Sequence, residues 1–350
     1  MSSLSNSLKK KKNPNIMGRM YRVFNPRAYL QVNIPAILMS FFTYILWEIL
    51  SNKEWNNFFC LQNIMAIYII ATLKGYFYVI YLYIKFDKRK KYFTEIHKEM
   101  ESNRTLVGHL LMCCIRTSFS ATLMATLNGL GGAYFFGIRN EFTNNQYING
   151  ITFYDIFVKL FMFIIQMFCW EIWFDFGHYW GHRFGHYCKT LYDFGHSKHH
   201  ENVSPDAFDG LNITFDDALL TNWIPHMFSL FMTTCIFFPN RPFSLYEMHL
   251  LSSYKTFVEV TGHVGVDFKG HSFPIFPPLS YYTGIDIGTA AYHSLHHRYY
   301  TVNYSKRFTL WDRVFHTMMV PPVLDNAKSK KEENQELIKA FSDKRTKKMQ

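Results

Sequence analysis

Residues 155–186 read DIFVKLFMFIIQMFCWEIWFDFGHYWGHRFGH. Together with the four residues before it, the stretch up to Phe174 is apolar enough and long enough to cross a bilayer core, which needs about 20 such residues. Asp155, Lys159 and Glu171 are its charged interruptions. From Asp175 onward it turns aromatic and histidine-rich, with His178, His182 and His186 spaced by four. Residues four apart lie on one helical face, so His182 and His186 can point at the same ion. An apolar span leading directly into metal-type ligands sets the expectation for the rest: an all-α integral membrane bundle carrying a histidine-rich domain at one face.

Three more stretches reach spanning length, at 34–50, 64–84 and 117–137, giving four spans in all. Glu48 interrupts the first, and Lys74 in the second should face protein or water. The third is preceded by 106–115, set apart by Arg116 and read as interfacial. Segments 1–33 and 85–104 carry seven Lys/Arg each, whereas 51–57 and 138–150 each carry one basic and one acidic residue. By the positive-inside rule the basic segments are cytosolic, so four crossings return everything after about residue 175 to the cytosol, and both termini lie there. Residues 218–260 are apolar again, broken by Pro225, His226 and Arg241, and form either a further spanning hairpin or a pair lying in the membrane face. The expected organisation is a basic N-terminal segment 1–33, an anchor 34–154, a catalytic domain 155–320 and a charged tail 321–350. Lys347 and Lys348, third and fourth from the end, resemble a dilysine retrieval signal of the endoplasmic reticulum.

Composition narrows the classes. Of 350 residues, 19% are aromatic and 18% charged, which excludes a disordered chain. The net charge of +11 is concentrated beside apolar stretches, which is not how a nucleic-acid face is built. Six cysteines without C-x-x-C spacing read as reduced, buried hydrophobes.

The 16 histidines are unevenly placed: only His97 and His109 precede the fourth span. After His182 and His186 come His196-Ser-Lys-His199-His200, then His263, then His293-Ser-Leu-His296-His297. On a helix the H-x-x-H-H spacing puts the first histidine on the face of both last two, which stand about 100° apart and can serve two neighbouring ions. A mononuclear oxygenase needs two histidines and a carboxylate, and a structural zinc needs four ligands. The eight histidines of the three spaced groups, His182, His186, His196, His199, His200, His293, His296 and His297, exceed both and point to two metals with nearly all-imidazole ligation; the single His263 is assigned as the ninth ligand. Imidazole suits iron, zinc, copper and nickel alike. His97, His109, His178, His226, His249, His271 and His316 read as ordinary packing or surface residues. Asp175, seven residues before His182, together with Glu259 and Asp312, could hold ligand N–H groups from outside.

These motifs, with Tyr179-Trp180, Arg183, Glu259-x-x-Gly262-His263, Asn303-Tyr304 and Thr309-Leu310-Trp311-Asp312-Arg313, resemble the fatty acid hydroxylase/sterol desaturase superfamily of membrane di-iron oxygenases over residues 155–320. The resemblance implies two non-haem iron ions, O2 as oxidant, and electrons from NAD(P)H through cytochrome b5 and its reductase. No His-Pro-Gly-Gly element of a fused b5 domain is present, so a separate donor is implied. Hydroxylation of a sterol, sphingoid base or acyl chain is the expected reaction. Sterol C-5 desaturation or methyl oxidation on the same scaffold is the alternative, and a histidine-rich metal transporter is the reading from another class. Where the superfamily usually has glycine, after Asn-Tyr and near the end of the last motif, this chain has Ser305 and His316.

Overall fold

A computed structural model describes residues 26–52, 60–86, 153–201, 205, 207–264 and 290–319. The predicted span at 117–137, the loops 87–104 and 138–150 and the tail 321–350 lie outside these residues. Among the described residues every regular element is helical. In chain order these are α1 (Pro26–Leu50), α2 (Leu61–Phe86), α3 (Phe153–Tyr187), α4 (residues 189–199), α5 (residues 215–237), α6 (Leu245–His263), α7 (Ala290–Tyr299) and α8 (Leu310–Val314).

Helices α1, α2 and α3 are long and apolar enough to cross a bilayer. Their outward side chains, among them Leu38, Phe41, Leu73, Ile80, Phe157 and Phe161, are large, apolar and exposed, as lipid contact requires. The 35 residues of α3 reach about 52 Å, well beyond a hydrocarbon core of about 30 Å. Its histidine-bearing end can therefore stand clear of the apolar layer.

Inside a bilayer the bundle must satisfy its own backbone. Pro35 lies within α1 and cannot donate to the carbonyl of Gln31; the Tyr81 hydroxyl from α2 donates to that carbonyl instead, at 2.9 Å. Asn63 at the start of α2 bonds both N–H and carbonyl of Asn52, tying the two helices together at their linker. Lys74 is buried and donates to Ser252 on α6 at 2.6 Å, meeting the expectation that it faces protein. Helix α6 opens with a Ser244/Glu247 capping box and packs between α1 and α2 through Phe257 and Val260.

Residues 218–260 resolve into α5 and α6, neither of which is among the three span-length helices. Helix α5 is interrupted by two widened turns, Leu219–Trp223 and Met232–Phe237. It lies against α3 along Gly177 and Gly181. A Cβ on Gly177 would stand 2.9 Å from Pro225 Cα, and one on Gly181 would collide with the Leu220 carbonyl oxygen. Small residues let membrane helices approach where the hydrophobic effect does not drive them together.

Candidate metal centre

Nine histidines converge in two groups. His182, His186, His196, His200 and His296 place one ring nitrogen each within 4.8 Å of one another, and His199, His263, His293 and His297 do the same. All are buried except His186, which is half-buried. The two groups touch, with the His200 and His297 rings 4.5 Å apart between centroids.

The H-x-x-H-H spacing explains the division. His196 and His200, four apart, enter the first group while His199 enters the second; on α7, His293 and His297 enter the second while His296 enters the first. Each motif thus gives its i,i+4 pair to one group and its remaining histidine to the other. A widened turn at Tyr192–His196 precedes the α4 motif, a feature frequent at functional sites.

Ring tautomers follow from the outer partners. Nδ1 of His182 lies 2.8 Å from the Tyr304 carbonyl, Nδ1 of His296 2.7 Å from that of Val302, and Nδ1 of His263 2.7 Å from that of Glu259. Nδ1 of His196 lies 2.9 Å from the Asp217 carboxylate. Since these oxygens only accept, each Nδ1 carries the proton and each Nε2 turns a lone pair inward. The inward Nε2 atoms stand 2.9 Å (His186–His196), 3.1 Å (His200–His296) and 3.0 Å (His263–His293) apart, and that of His182 has no hydrogen-bond partner. Converging lone pairs repel unless a cation lies among them. Two nitrogens about 2.1 Å from one ion are about 3.0 Å apart at a right angle, so the donor set fits a metal in each group.

Burial, reinforced by neighbouring histidines, holds His199 and His200 well below the usual imidazole range. His296 is pushed down to about 3 by burial, although its bond to Val302 acts the other way. An unfolded histidine titrates near 6.5, so these groups contribute stability that is full above that pH and is lost as pH falls toward their folded values. Metal-free protein is therefore expected to melt at progressively lower temperature from pH 7 to pH 4, with little change from pH 7 to pH 8. A melting temperature flat between pH 7 and pH 4 would contradict the buried neutral set.

The carboxylates singled out by sequence stand one layer further out. Asp175, fully buried, accepts the backbone N–H groups of Lys306, Arg307 and Phe308 at 2.7, 2.8 and 3.0 Å. Asp312, also fully buried, accepts from Tyr304 and Ser305 N–H and from the Tyr292 and Thr317 hydroxyls. Together they fix the 302–308 loop, whose carbonyls hold His182 and His296. Glu259 contributes its backbone carbonyl to His263, while its side chain pairs with Lys306. Asp217 was not legible in the sequence, where Asp216-Asp217 reads as ordinary acidic decoration of a helix start. Asp217→Asn keeps the size but can present an amide instead of a full charge to His196; metal affinity is expected to fall about 10–100-fold, measured by competition with a chelator.

His178 bonds the Thr221 carbonyl at 2.7 Å and stands outside both groups. His316 has φ 56, so the position where the superfamily usually has glycine does adopt the left-handed backbone that glycine favours.

Residues 167–317 match the fatty acid hydroxylase family model. Sphinganine C4-monooxygenase 2 of Arabidopsis thaliana is 28% identical over 165 residues, covering 45% of this chain and 54% of its own. Cholesterol 25-hydroxylase of Mus musculus is 23% identical over 168 residues, 48% of each chain. Very-long-chain aldehyde decarbonylase GL1-5 of Oryza sativa subsp. indica is 28% identical over 145 residues, 41% of this chain and 22% of its own. The chain thus spans about a fifth to about half the length of these curated relatives. No solved structure matches. The histidine motifs of α3, α4, α6 and α7 all lie inside the matched residues, which places residues 167–317 in the fatty acid hydroxylase/sterol desaturase superfamily.

Proposed function

We propose that this chain is an O2-dependent, non-haem di-iron membrane oxidoreductase that hydroxylates a lipid. The observation that carries the proposal is the pair of adjacent, buried, all-imidazole groups at the end of a helix long enough to cross a bilayer. His182, His186, His196, His200 and His296 would hold one ion, and His199, His263, His293 and His297 the other. A bound iron pair would supply the activation of O2 and the oxidation of an unactivated C–H bond, which acid–base side chains do not provide. The protein's part is to hold the rings and keep water out. The Nδ1–H bonds to Tyr304, Val302, Glu259 and Asp217 orient the imidazoles, and the buried loop 302–308 closes over them.

The relatives' names mention sphinganine and cholesterol, which supports a lipid with a long apolar body as substrate. Residues 155–320 form the catalytic domain in this reading. Electrons come from NAD(P)H through a separate cytochrome b5-type donor; the charge pattern of the loops supports a cytosolic face for the site, and Lys347 and Lys348 support the endoplasmic reticulum membrane. Purified protein is expected to hold close to two iron ions per chain and to convert a lipid to a product heavier by one oxygen atom when donor and O2 are supplied. Comparison of lipids from cells with and without the gene distinguishes a gained hydroxyl from the double bond that a desaturase would leave. A single zinc per chain without oxygen-dependent turnover, or metal uptake into sealed vesicles, would overturn the proposal.

A further inference from the structure

A second polar concentration lies deeper in the bundle than the histidine groups, built around Phe174 of α3. The Trp170 ring stacks on Phe174 with centroids 4.9 Å apart, and His226 of α5 meets Trp170 edge-on at 5.4 Å. Lys255 Nζ of α6 lies 4.9 Å from the Phe174 ring centroid and Lys306 Nζ 5.9 Å from it. Trp170 and His226 are only 2% and 3% exposed. The Trp170 indole N–H and both ring nitrogens of His226 nevertheless lack hydrogen-bond partners. Lys255 makes neither a hydrogen bond nor an ion pair among the described residues. The neighbouring cations differ: Lys306 pairs with Glu259, Arg307 with Glu171, and Lys74 donates to Ser252. Donors outnumber acceptors here, since an ammonium and an indole N–H only donate and a neutral His226 ring offers a single acceptor nitrogen. A buried donor left unmade is costly, and the buried Trp170 indole and the half-buried Lys255 ammonium, both against Phe174, present donors that a group with accepting oxygens would complete.

We propose that the Trp170–Phe174–His226–Lys255 cluster holds the polar end of the lipid substrate, a carboxylate or carbonyl whose oxygens accept from Lys255 and Trp170. The assignment rests on the proposed lipid oxidation at the histidine pair. Two helices set the spacing independently. Phe174 precedes His182 by eight residues on α3, and Lys255 precedes His263 by eight on α6, each about 12 Å along the axis. A lipid seated this way presents to the histidine groups a carbon about 12 Å from its polar end, so oxidation remote from the headgroup follows.

The test uses the full chain in detergent and equilibrium binding of three probes with one C16 tail: palmitate, palmitamide and hexadecylamine. Palmitate and palmitamide are expected to bind at least about tenfold more tightly than hexadecylamine. Lys255→Met, which keeps the aliphatic stem, should weaken palmitate about tenfold while iron content and melting temperature stay as in the parent; Lys255→Arg should restore the preference. Hexadecylamine binding as tightly as palmitate overturns the assignment. So does a Lys255→Met chain that binds palmitate as the parent does, or a Lys255→Arg chain that fails to restore the preference. Preferential palmitate binding by a chain that shows no oxygen-dependent turnover would leave the headgroup site standing and remove the oxidation reading instead.

Discussion

Replacing His199 with alanine is expected to lower the metal content from about two ions per chain to about one and to abolish lipid oxidation, while the protein still inserts in the membrane. His199 is one of four histidines in the second group, with Nε2 3.3 Å from that of His263 and its Nδ1 without a partner. Its ring thus has no described outer anchor and contributes to the site through Nε2. Removing it leaves three ligands for that ion and a buried void where the ring was, while the Nδ1 bonds that hold His182, His196 and His296 in the first group are untouched. Losing only an outer partner of a ligand typically costs about 10–100-fold in affinity or activity, so loss of the ligand itself should exceed about 100-fold. Elemental analysis of purified protein together with product formation checks both halves. His178→Ala is the control: a buried histidine on α3, one turn before His182, outside both groups, and expected to retain both ions. Two ions retained by the His199→Ala chain, or equal losses in the two variants, would sink the assignment of ligands.

How much of the site was legible in the sequence depended on what each part was made of. The histidines were legible because a ligand needs a particular residue type and the helix imposes a fixed spacing, so H-x-x-H-H already implied two neighbouring ions. Their allocation was not, because which face of α4 meets which face of α7 is set by packing and by the widened turn before His196. The Gly177 and Gly181 steps alternate with the histidines at the same four-residue interval and mark the line where α5 lies against α3; that signal stands in the sequence and reads only as loop-like glycine unless helix packing is considered. The carbonyls of Val302, Tyr304 and Glu259 that orient three ligand rings leave no sequence mark, since every residue carries one. Asp175 and Asp312 were visible as carboxylates near the ligands, yet they act through the loop that carries two of those carbonyls. His226 reads in the sequence as ordinary packing or surface, and Lys255 carries no mark there; their lack of partners appears only once α3, α5 and α6 are brought together.

Asp175→Ala should be more disruptive than loss of any single ligand, because it removes the common support of one loop and, through it, of the first histidine group. The carboxylate is fully buried and accepts three backbone N–H groups, those of Lys306, Arg307 and Phe308. Without it three buried donors go unsatisfied, at about 1–3 kcal/mol each, against a total stability of about 5–15 kcal/mol for a typical protein. Loss of roughly 3 kcal/mol or more is expected, seen as a large drop in melting temperature of the detergent-solubilised protein. The consequence for the site follows from where the loop leads. Tyr304 and Val302 carry the carbonyls that fix His182 and His296, both in the first group, whereas His263 in the second is fixed by Glu259 on α6. The first ion should therefore be lost more readily than the second, the opposite order from His199→Ala. Asp175→Asn retains one carbonyl oxygen that can still accept, and should fall between the parent and Asp175→Ala in both melting temperature and iron content. If Asp175→Ala melts with the parent and keeps both ions, the 302–308 loop is held by Asp312 alone and the role given to Asp175 fails.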